Sequence, residues 1–363
     1  MASNKNQHFV PRCYLRGFTR DRAVIHLFNL DRRRAISAAP LKGQCSRDYF
    51  YGDDLRLERV LQCIEVGYTP MLADIARPGY QLTLEHRSQL LDFWCVQYMR
   101  TEAASKRAVQ AADELNGDMG MTGDEWRLNI RQAVEMSMGL VPALRDIISD
   151  LKPCLIRNLT GLPFITSDDP AVAANRWHQQ DVRTRNMAAG LGSAGALLFL
   201  PLTPELLCLF YDGAIYSIEQ TAGWATASIA DVAAFNEHQY LRAFANVYFR
   251  DWDAHAAMSP AYDRLAARRP PVRFRFNHAV FDRMEGDARI FRAVDAAEAR
   301  LHESSMIHQE AIDPVPTGWP RLIRFRPDGH AWFNGSGVGY SRRATLPPGA
   351  DDFRKIPTRR AAS

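Results

Sequence analysis

Four side chains suited to phosphate chemistry lie within the first eighteen residues of the chain. The stretch HFVPRCYLRGF, residues 8–18, carries the imidazole of His8, the guanidinium groups of Arg12 and Arg16, and the phenol of Tyr14. An imidazole titrates near neutral pH and can act as a general base. A guanidinium can bind a phosphate through two parallel hydrogen bonds. The motif therefore suggests a polar site that recognises or acts on a phosphate.

The carboxylates that this motif lacks occur in a second stretch, PFITSDDP, residues 163–170. We expect the two stretches to meet in space. Asp168, together with Glu65 and Asp169, would offer oxygen ligands to one Mg²⁺ or Mn²⁺ ion. The sequence thus supplies the components of a metal-assisted site, although it contains no P-loop, no H-E-x-x-H motif and no G-x-S-x-G motif.

Further polar candidates lie in a long predicted helix over residues 83–115. The middle of this segment is apolar on nearly every side, which is typical of a buried helix. Gln97, Arg100 and Thr101 lie there, and buried polar groups need hydrogen-bond partners. Tyr49, in the aromatic cluster DYFY, is a further candidate because its ring could stack on a base.

Several of these residues also have a structural interpretation. An Asp before a proline, such as Asp168, often forms a turn by accepting backbone N–H groups. Arg100 in a buried helix would satisfy Glu65 or Asp168 as an ion pair. Ser167 lacks the glycine-flanked elbow of a hydrolase nucleophile. The structural alternative therefore stands beside each chemical one.

Three functions fit these residues, and we favour the first. The first function is that of a hydrolase, specifically a metal-dependent nuclease or phosphodiesterase. The second is a sensor that binds nucleic acid or a nucleotide without catalysis, and the third is a structural or interaction module. The predicted catalytic residues are His8, Arg12, Arg100 and Asp168. The predicted substrate-binding residues are Tyr14, Arg16, Tyr49, Gln97, Thr101, Thr166 and Ser167. The predicted metal ligands are Glu65, Asp168 and Asp169.

Composition is that of an ordinary globular protein. The chain has 363 residues, 47% hydrophobic and 24% charged, with a formal net charge of +4. This small positive excess does not by itself indicate nucleic-acid binding. No apolar run is long enough for a membrane span, and the N-terminus lacks the apolar core of a signal peptide. We expect a cytoplasmic protein, and the six scattered cysteines are expected to be free thiols.

The order of helical and strand patterns predicts an α+β fold with a mostly antiparallel sheet and a long-helix middle section. A core domain is expected over residues 7–250, helical over 54–151 and β-rich over 154–250. Two hairpins are predicted, one over residues 154–166 and one over 321–333. Residues 251–363 form a C-terminal extension with a helix and a hairpin, expected to pack on the core.

The motifs together resemble a bacterial family, domain-of-unknown-function family 4238, over about residues 7–250. The resemblance rests on the first motif, on QYxRT at residues 97–101 and on FITSDxP at residues 164–170, with weaker matches between and after them. The family usually has asparagine in place of Asp169 and often tyrosine in place of Phe9. Because its activity is unassigned, the resemblance implies no mechanism, although a bacterial anti-phage or toxin setting would suit a protein of this kind.

Overall fold

The computed structural model describes residues 5–53, 55–121, 123–185, 187, 189–270, 274–286 and 288–358. The helices in these ranges are α1 (Arg12–Leu15), α2 (Arg56–Ile75), α3 (Leu84–Arg100), α4 (Glu102–Asp118), α5 (Ile130–Gly139), α6 (Val141–Ile148), α7 (Arg176–Gln180), α8 (Ile229–Arg242), α9 (His255–Ala266) and α10 (Ala296–Ala299). The strands are β1 (Asn6–His8), β2 (Val24–Asn29), β3 (Arg34–Pro40), β4 (Ser46–Asp48), β5 (Lys152–Asn158), β6 (Thr166–Ser167), β7 (Val172–Ala174), β8 (Leu197–Thr203), β9 (Leu206–Tyr211), β10 (Tyr216–Ser217), β11 (Trp224–Ala227), β12 (Asn246–Phe249), β13 (Phe274–Glu285), β14 (Ala288–Val294), β15 (Ser305–Ala311), β16 (Arg324–Phe325), β17 (His330–Phe333) and β18 (Arg354–Pro357). The predicted α+β class is confirmed, with 38% helix, 26% strand, mostly antiparallel sheets and a helical middle section from α2 to α6.

The largest sheet has the strand order β11-β5-β9-β8-β7 and is buried on both faces. All its pairings are antiparallel except that of β11 with β5. Strand side chains alternate between the two faces of a sheet. In β8, Leu198 and Leu200 pack into a core shared with α2, α3 and the N-terminal motif, whereas Leu197 and Phe199 pack into a core shared with α8. The continuous apolar sequence of β8 and β9 follows from this double burial.

A second sheet, in the order β3-β2-β12-β6, contains part of the second motif. Its central strand β12 pairs with β2 on one side and β6 on the other, always antiparallel. Thr166 and Ser167 of the FITSDxP motif form β6, a short strand at the edge of this sheet. The strand β1, which ends at His8 in the first motif, pairs separately with β4.

The structure corrects three predicted elements. The helix expected over residues 83–115 is interrupted at Thr101, which is extended (φ −70°, ψ 156°) and caps α4 through its side chain. The hairpin expected over residues 154–166 is not formed, because β5 pairs with β9 and β11 while β6 pairs with β12. The hairpin expected over residues 321–333 is not formed either, because β16 pairs with β10 and β17 with β18.

The C-terminal part contributes side chains to the core behind the largest sheet. Ile323, Ala331 and Tyr340 are buried in the same cluster as Phe199. A separate three-stranded sheet, β14-β13-β15, contacts the end of α4 through His278, whose Nε2 lies 2.8 Å from Asp118 Oδ2. Among the described residues, no helix is long and apolar enough to cross a membrane.

Candidate functional site

The N-terminal motif forms β1 and the short helix α1, with Pro11 at the N-cap position of α1. Its apolar side chains are buried, whereas Arg12 and Arg16 are exposed. The two arginines lie four residues apart, which is about one helical turn, so they lie on one side of the segment. Gly17 packs tightly on β8, because a Cβ there would lie 2.8 Å from the carbonyl oxygen of Leu202. The motif is thus anchored by its apolar side and presents its two guanidinium groups to solvent.

Arg100 connects this motif to the helical middle section. Its guanidinium is almost fully buried and donates to the Tyr51 hydroxyl at 2.9 Å, to Glu65 Oε1 at 2.8 Å and to the backbone carbonyl of His8 at 2.6 Å. Burial disfavours the charged form of Arg100 and would lower its pKa, yet Tyr51 and Glu65 keep that pKa above its ordinary value. This is the buried ion pair with Glu65 that the sequence allowed as a structural alternative.

A carboxylate missed by the sequence analysis lies beside this ion pair. Glu58 precedes Glu65 by seven residues on α2, so both lie on one side of the helix. Glu58 Oε2 is buried and has no hydrogen-bond partner among the described residues. Burial raises the pKa of Glu58, Arg100 opposes that rise, and Glu65 adds to it. The seven-residue spacing of two glutamates beside the apolar face of α2 was the available sequence signal.

His8 faces the surface beside this cluster. Its Nε2 lies 3.2 Å from the backbone oxygen of Lys42, which requires a proton on Nε2 and leaves Nδ1 as an acceptor. The pKa of His8 is lowered to about 4, mainly by burial and also by the charges of Arg12 and Arg100, while the bond to Lys42 opposes the shift. His8 is therefore neutral at pH 7. A neutral imidazole with so low a pKa is a weak general base.

The motifs meet where Tyr14 reaches the FITSDxP stretch. The Tyr14 hydroxyl is fully buried, bonds to the Thr166 hydroxyl at 2.6 Å and donates to the carbonyl of Pro201 at 2.7 Å. The neighbouring Ser167 donates from Oγ to Gln239 Oε1 at 2.8 Å. The expected contact between the two stretches is thus formed by hydroxyl groups rather than by the carboxylates.

Asp168 is directed away from the first motif, towards the turn after α8. Its Oδ1 accepts from the backbone N–H of Phe244 at 2.7 Å, and its Oδ2 accepts from those of Ala245 and Asn246 at 2.7 and 2.9 Å. Burial raises the pKa of Asp168 to about 6, opposed by these three donors. Asp168 therefore accepts backbone N–H groups, as in the structural alternative, but these groups belong to a turn distant in sequence and not to a turn of its own.

Asp169 belongs to a third group of contacts, with Thr101 and Arg107. Thr101 Oγ1 donates to one carboxylate oxygen at 2.8 Å and Arg107 Nη1 to the other at 2.6 Å. Burial alone would raise the pKa of Asp169, but Arg107, Arg242 and Thr101 outweigh it and hold that pKa below its usual range. Thr101 therefore combines helix capping with binding of a buried carboxylate.

The three predicted metal ligands do not form a common site. Within the described ranges, no group of three or more His, Cys, Asp or Glu side chains could hold a metal ion. Glu65 is engaged by Arg100, Asp168 by three backbone N–H groups, and Asp169 by Arg107. These existing bonds are the physical reason why the carboxylates do not converge on one ion.

The two remaining candidates differ in accessibility. Gln97 is fully buried and donates from Nε2 to the carbonyl of Phe9 at 3.1 Å. Its Oε1 is buried without a partner among the described residues. Tyr49, by contrast, is 43% exposed, and its ring centroid lies 5.8 Å from the ammonium group of Lys5. Of the predicted site residues, Arg12, Arg16 and Tyr49 are the exposed ones, and His8 and Glu65 are partly exposed.

Comparison with protein families gives a match over most of the chain. Residues 6–253 match the family model described as "Protein of unknown function (DUF4238)". The chain belongs to this family. No curated protein and no solved structure gives a match. The resemblance inferred from the sequence motifs is thereby confirmed, and no activity comes with it.

The DUF4238 region contains every residue discussed above as a candidate for the site. It ends just after β12, so α9 and all later elements lie outside it. The contacts of Arg100, Asp168 and Asp169 therefore join segments within the DUF4238 region that are far apart in sequence. These contacts engage the polar groups of Arg100, Asp168 and Asp169, whereas Gln97 Oε1 has no hydrogen-bond partner among the described residues.

Proposed function

We propose that the chain binds nucleic acid through Arg12 and Arg16, without the buried motif residues contacting the ligand. One observation carries this proposal. The guanidinium groups of Arg12 and Arg16 are exposed and form no hydrogen bond or ion pair within the described part of the chain, whereas the buried Arg100, Asp168 and Asp169 are each engaged by other protein groups. The charges available to a partner at this motif are therefore positive.

The surroundings of the two arginines support a phosphate ligand. Arg12 lies close enough to His8 to lower the pKa of its imidazole, and neutral His8 adds no negative charge at pH 7. Lys42, beside His8, is exposed as well. Arginine and lysine on an exposed surface are the usual contacts to nucleic-acid phosphates. Exposed Tyr49 offers a ring on which a base could stack.

The buried residues have a different part in this proposal. Hydrogen bonds of Tyr14, Thr166 and Ser167 join α1 to β6 and β6 to α8, and the bond from Gln97 to the Phe9 carbonyl joins α3 to the first motif. A group that is buried and already hydrogen-bonded cannot reach a nucleic acid without breaking those bonds. We therefore assign these residues to the scaffold that fixes the arginines, which favours the binding hypothesis over hydrolysis.

The test is a binding measurement with a matched charge control. We expect Arg12→Gln/Arg16→Gln to weaken binding of a labelled single-stranded oligonucleotide at least about tenfold. If two phosphate contacts are lost, the logarithm of the association constant should fall less steeply with the logarithm of the salt concentration, by about 1.4 in slope. The control is Arg32→Gln/Arg34→Gln, which removes the same charge from exposed arginines at the β2–β3 turn. An equal loss of affinity in both double variants would show that the loss comes from the change in net charge and not from these two positions. Unchanged affinity in Arg12→Gln/Arg16→Gln would refute the proposal.

A metal-assisted phosphodiester hydrolase is the second candidate, and Glu58 is the observation that favours it. Glu58 is half-buried and close to Arg100 and Glu65, its pKa is raised, and its buried Oε2 has no hydrogen-bond partner among the described residues; these are properties of an acid–base catalyst. We expect, under this candidate, that Glu58→Gln abolishes cleavage of the oligonucleotide in Mg²⁺ or Mn²⁺ and retains binding. Absence of cleavage by the unmodified protein with either metal would reject it and leave the binding hypothesis standing.

A further inference from the structure

A second site is indicated by a pocket between the DUF4238 region and the C-terminal segment. The pocket has a volume of about 530 Å³. Its walls come from Asp150 after α6 and the start of β5, from the turn after β9, and from β17 with residues 342–344. We call it the C-terminal pocket. Its lining residues include Lys152, Asp212, His330, Trp332 and Arg343.

One wall of the C-terminal pocket is fixed by Arg342. This nearly buried guanidinium donates from Nε to Asp150 at 2.9 Å, from Nη1 to the carbonyls of Leu191 and Ser193 at 2.6 and 3.0 Å, and from Nη2 to the carbonyl of Ile147. Because these bonds cross from the C-terminal segment to two separate segments, residues 147–150 and 191–193, they hold the two halves of the pocket together. The ion pair also neutralises the Asp150 charge.

The floor of the pocket contains a second carboxylate that is already engaged. Asp212 is buried, and its two oxygens accept from the backbone N–H groups of Ala214 at 2.9 Å and Gly195 at 2.8 Å. The intervening Gly213 lies directly against the Lys152 side chain, since a Cβ at Gly213 would lie 2.5 Å from Lys152 Cε. The stem of Lys152 is thus packed against the turn that Asp212 stabilises.

The remaining lining groups are cationic or neutral. Lys152, His330 and Arg343 form no side-chain hydrogen bond or salt bridge within the ranges that the structure describes. The Arg343 guanidinium lies over the ring of Trp332, 5.7 Å from its centroid. A half-buried indole beside cations without acidic partners suits a ligand that has both an anionic group and a flat apolar part. The volume lies in the range of pockets that hold small organic molecules.

We propose that the C-terminal pocket binds a small phosphorylated molecule with an aromatic part, of about the size of a nucleoside monophosphate. Lys152 and Arg343 contact the phosphate, and Trp332 contacts the ring. This site is separate from the proposed nucleic-acid surface at Arg12 and Arg16. Half of its lining lies beyond residue 253, outside the DUF4238 region, so the C-terminal segment gives this chain a ligand site that the family region alone cannot form.

The experiment is calorimetric titration of the full chain with AMP, adenosine and inorganic phosphate. We expect saturable binding of AMP, weaker binding of phosphate and no measurable binding of adenosine. The double variant Lys152→Gln/Arg343→Gln is expected to weaken AMP binding at least about tenfold. Its melting temperature without ligand is expected to match that of the unmodified protein, since neither side chain has a polar partner to lose.

The double variant Arg12→Gln/Arg16→Gln separates this site from the proposed nucleic-acid surface. We expect it to bind AMP as the unmodified protein does. Loss of AMP binding in that variant, with retention in Lys152→Gln/Arg343→Gln, would assign the nucleotide to the N-terminal surface and overturn the pocket proposal. Adenosine binding as tightly as AMP, or no AMP binding at about 1 mM ligand, would overturn it as well.

Discussion

Arg100 donates a hydrogen bond from Nη2 to the backbone carbonyl of His8 at 2.6 Å. The buried arginine of α3 thus holds the histidine of the N-terminal motif by its main chain and not by its imidazole. The imidazole remains at the surface beside Arg12, with its Nε2 bonded to Lys42. This arrangement separates a buried scaffold, which includes Arg100, from an exposed surface, which includes Arg12.

Replacing Arg100 should therefore affect folding first. In Arg100→Gln, Glu65, Tyr51 and the His8 carbonyl lose their shared donor inside the protein. Removing one partner of a buried ion pair costs about 3–5 kcal/mol. We expect a loss of that size in the free energy of unfolding by urea, against less than about 0.5 kcal/mol for the exposed control Arg32→Gln. A variant of unchanged stability that no longer binds ligand would instead identify Arg100 as a ligand contact.

Asp168→Asn tests whether this motif carboxylate is structural. An amide has one acceptor oxygen, so its NH₂ group would face backbone N–H groups that the carboxylate now accepts from, at Phe244 or at Ala245 and Asn246. We expect the free energy of unfolding to fall by about 1–3 kcal/mol, the cost of leaving buried donors unsatisfied. The matched control is the exposed Asp253→Asn, which should unfold like the unmodified protein. If Asp168→Asn keeps full stability, the turn after α8 does not depend on this carboxylate.

The sequence allowed the ion pair of Arg100 with Glu65, but it did not indicate which groups Asp168 and Asp169 contact. Periodicity and composition were sufficient for the α+β class, since the class depends on local apolar patterns. The same apolar pattern gave no indication that α3 ends at Arg100. Thr101 is the N-cap of α4, and the alanine-rich sequence that follows continues a helical pattern across the break.

The contacts of Asp168 and Asp169 could not have been predicted from local sequence. Asp168 bonds to backbone N–H groups more than seventy residues away, and backbone donors leave no signal in side-chain types. Asp169 bonds to Arg107, which lies in the polar second half of a segment predicted as one helix. The carboxylates therefore looked like a shared metal site, whereas each is satisfied separately by tertiary contacts.

The stability of the protein should depend on pH through His8. Its pKa in the folded state is lowered to about 4, below that of an unfolded histidine near 6.5. Between these values the unfolded chain binds more protons, so stability falls as the pH drops from about 6.5 to 4. After allowance for solvent screening of a half-buried group, we expect the His8 contribution to be about 1–2 kcal/mol.

Urea unfolding at several pH values measures this contribution by difference from His8→Asn. The free energy of the unmodified protein should fall more steeply on acidification than that of His8→Asn. The fully buried His238, whose pKa burial lowers to about 3, titrates in both proteins and cancels from the comparison. Parallel pH curves for the two proteins would show that His8 is not desolvated in the folded state.

Arg342 should determine whether the C-terminal segment stays attached to the DUF4238 region. Arg342→Met leaves Asp150 and the carbonyls of Ile147, Leu191 and Ser193 without their donor, and the cost of breaking a buried ion pair is about 3–5 kcal/mol. Because all these bonds join residue 342 to the core, we expect limited proteolysis to cut residues 330–358 of the variant well before it degrades the core. The adjacent, exposed Arg343→Met is the matched control and should be cut no faster than the unmodified protein. Equal cleavage rates in the two variants would mean that the apolar contacts of Ile323, Ala331 and Tyr340 hold the segment without the Arg342 bonds.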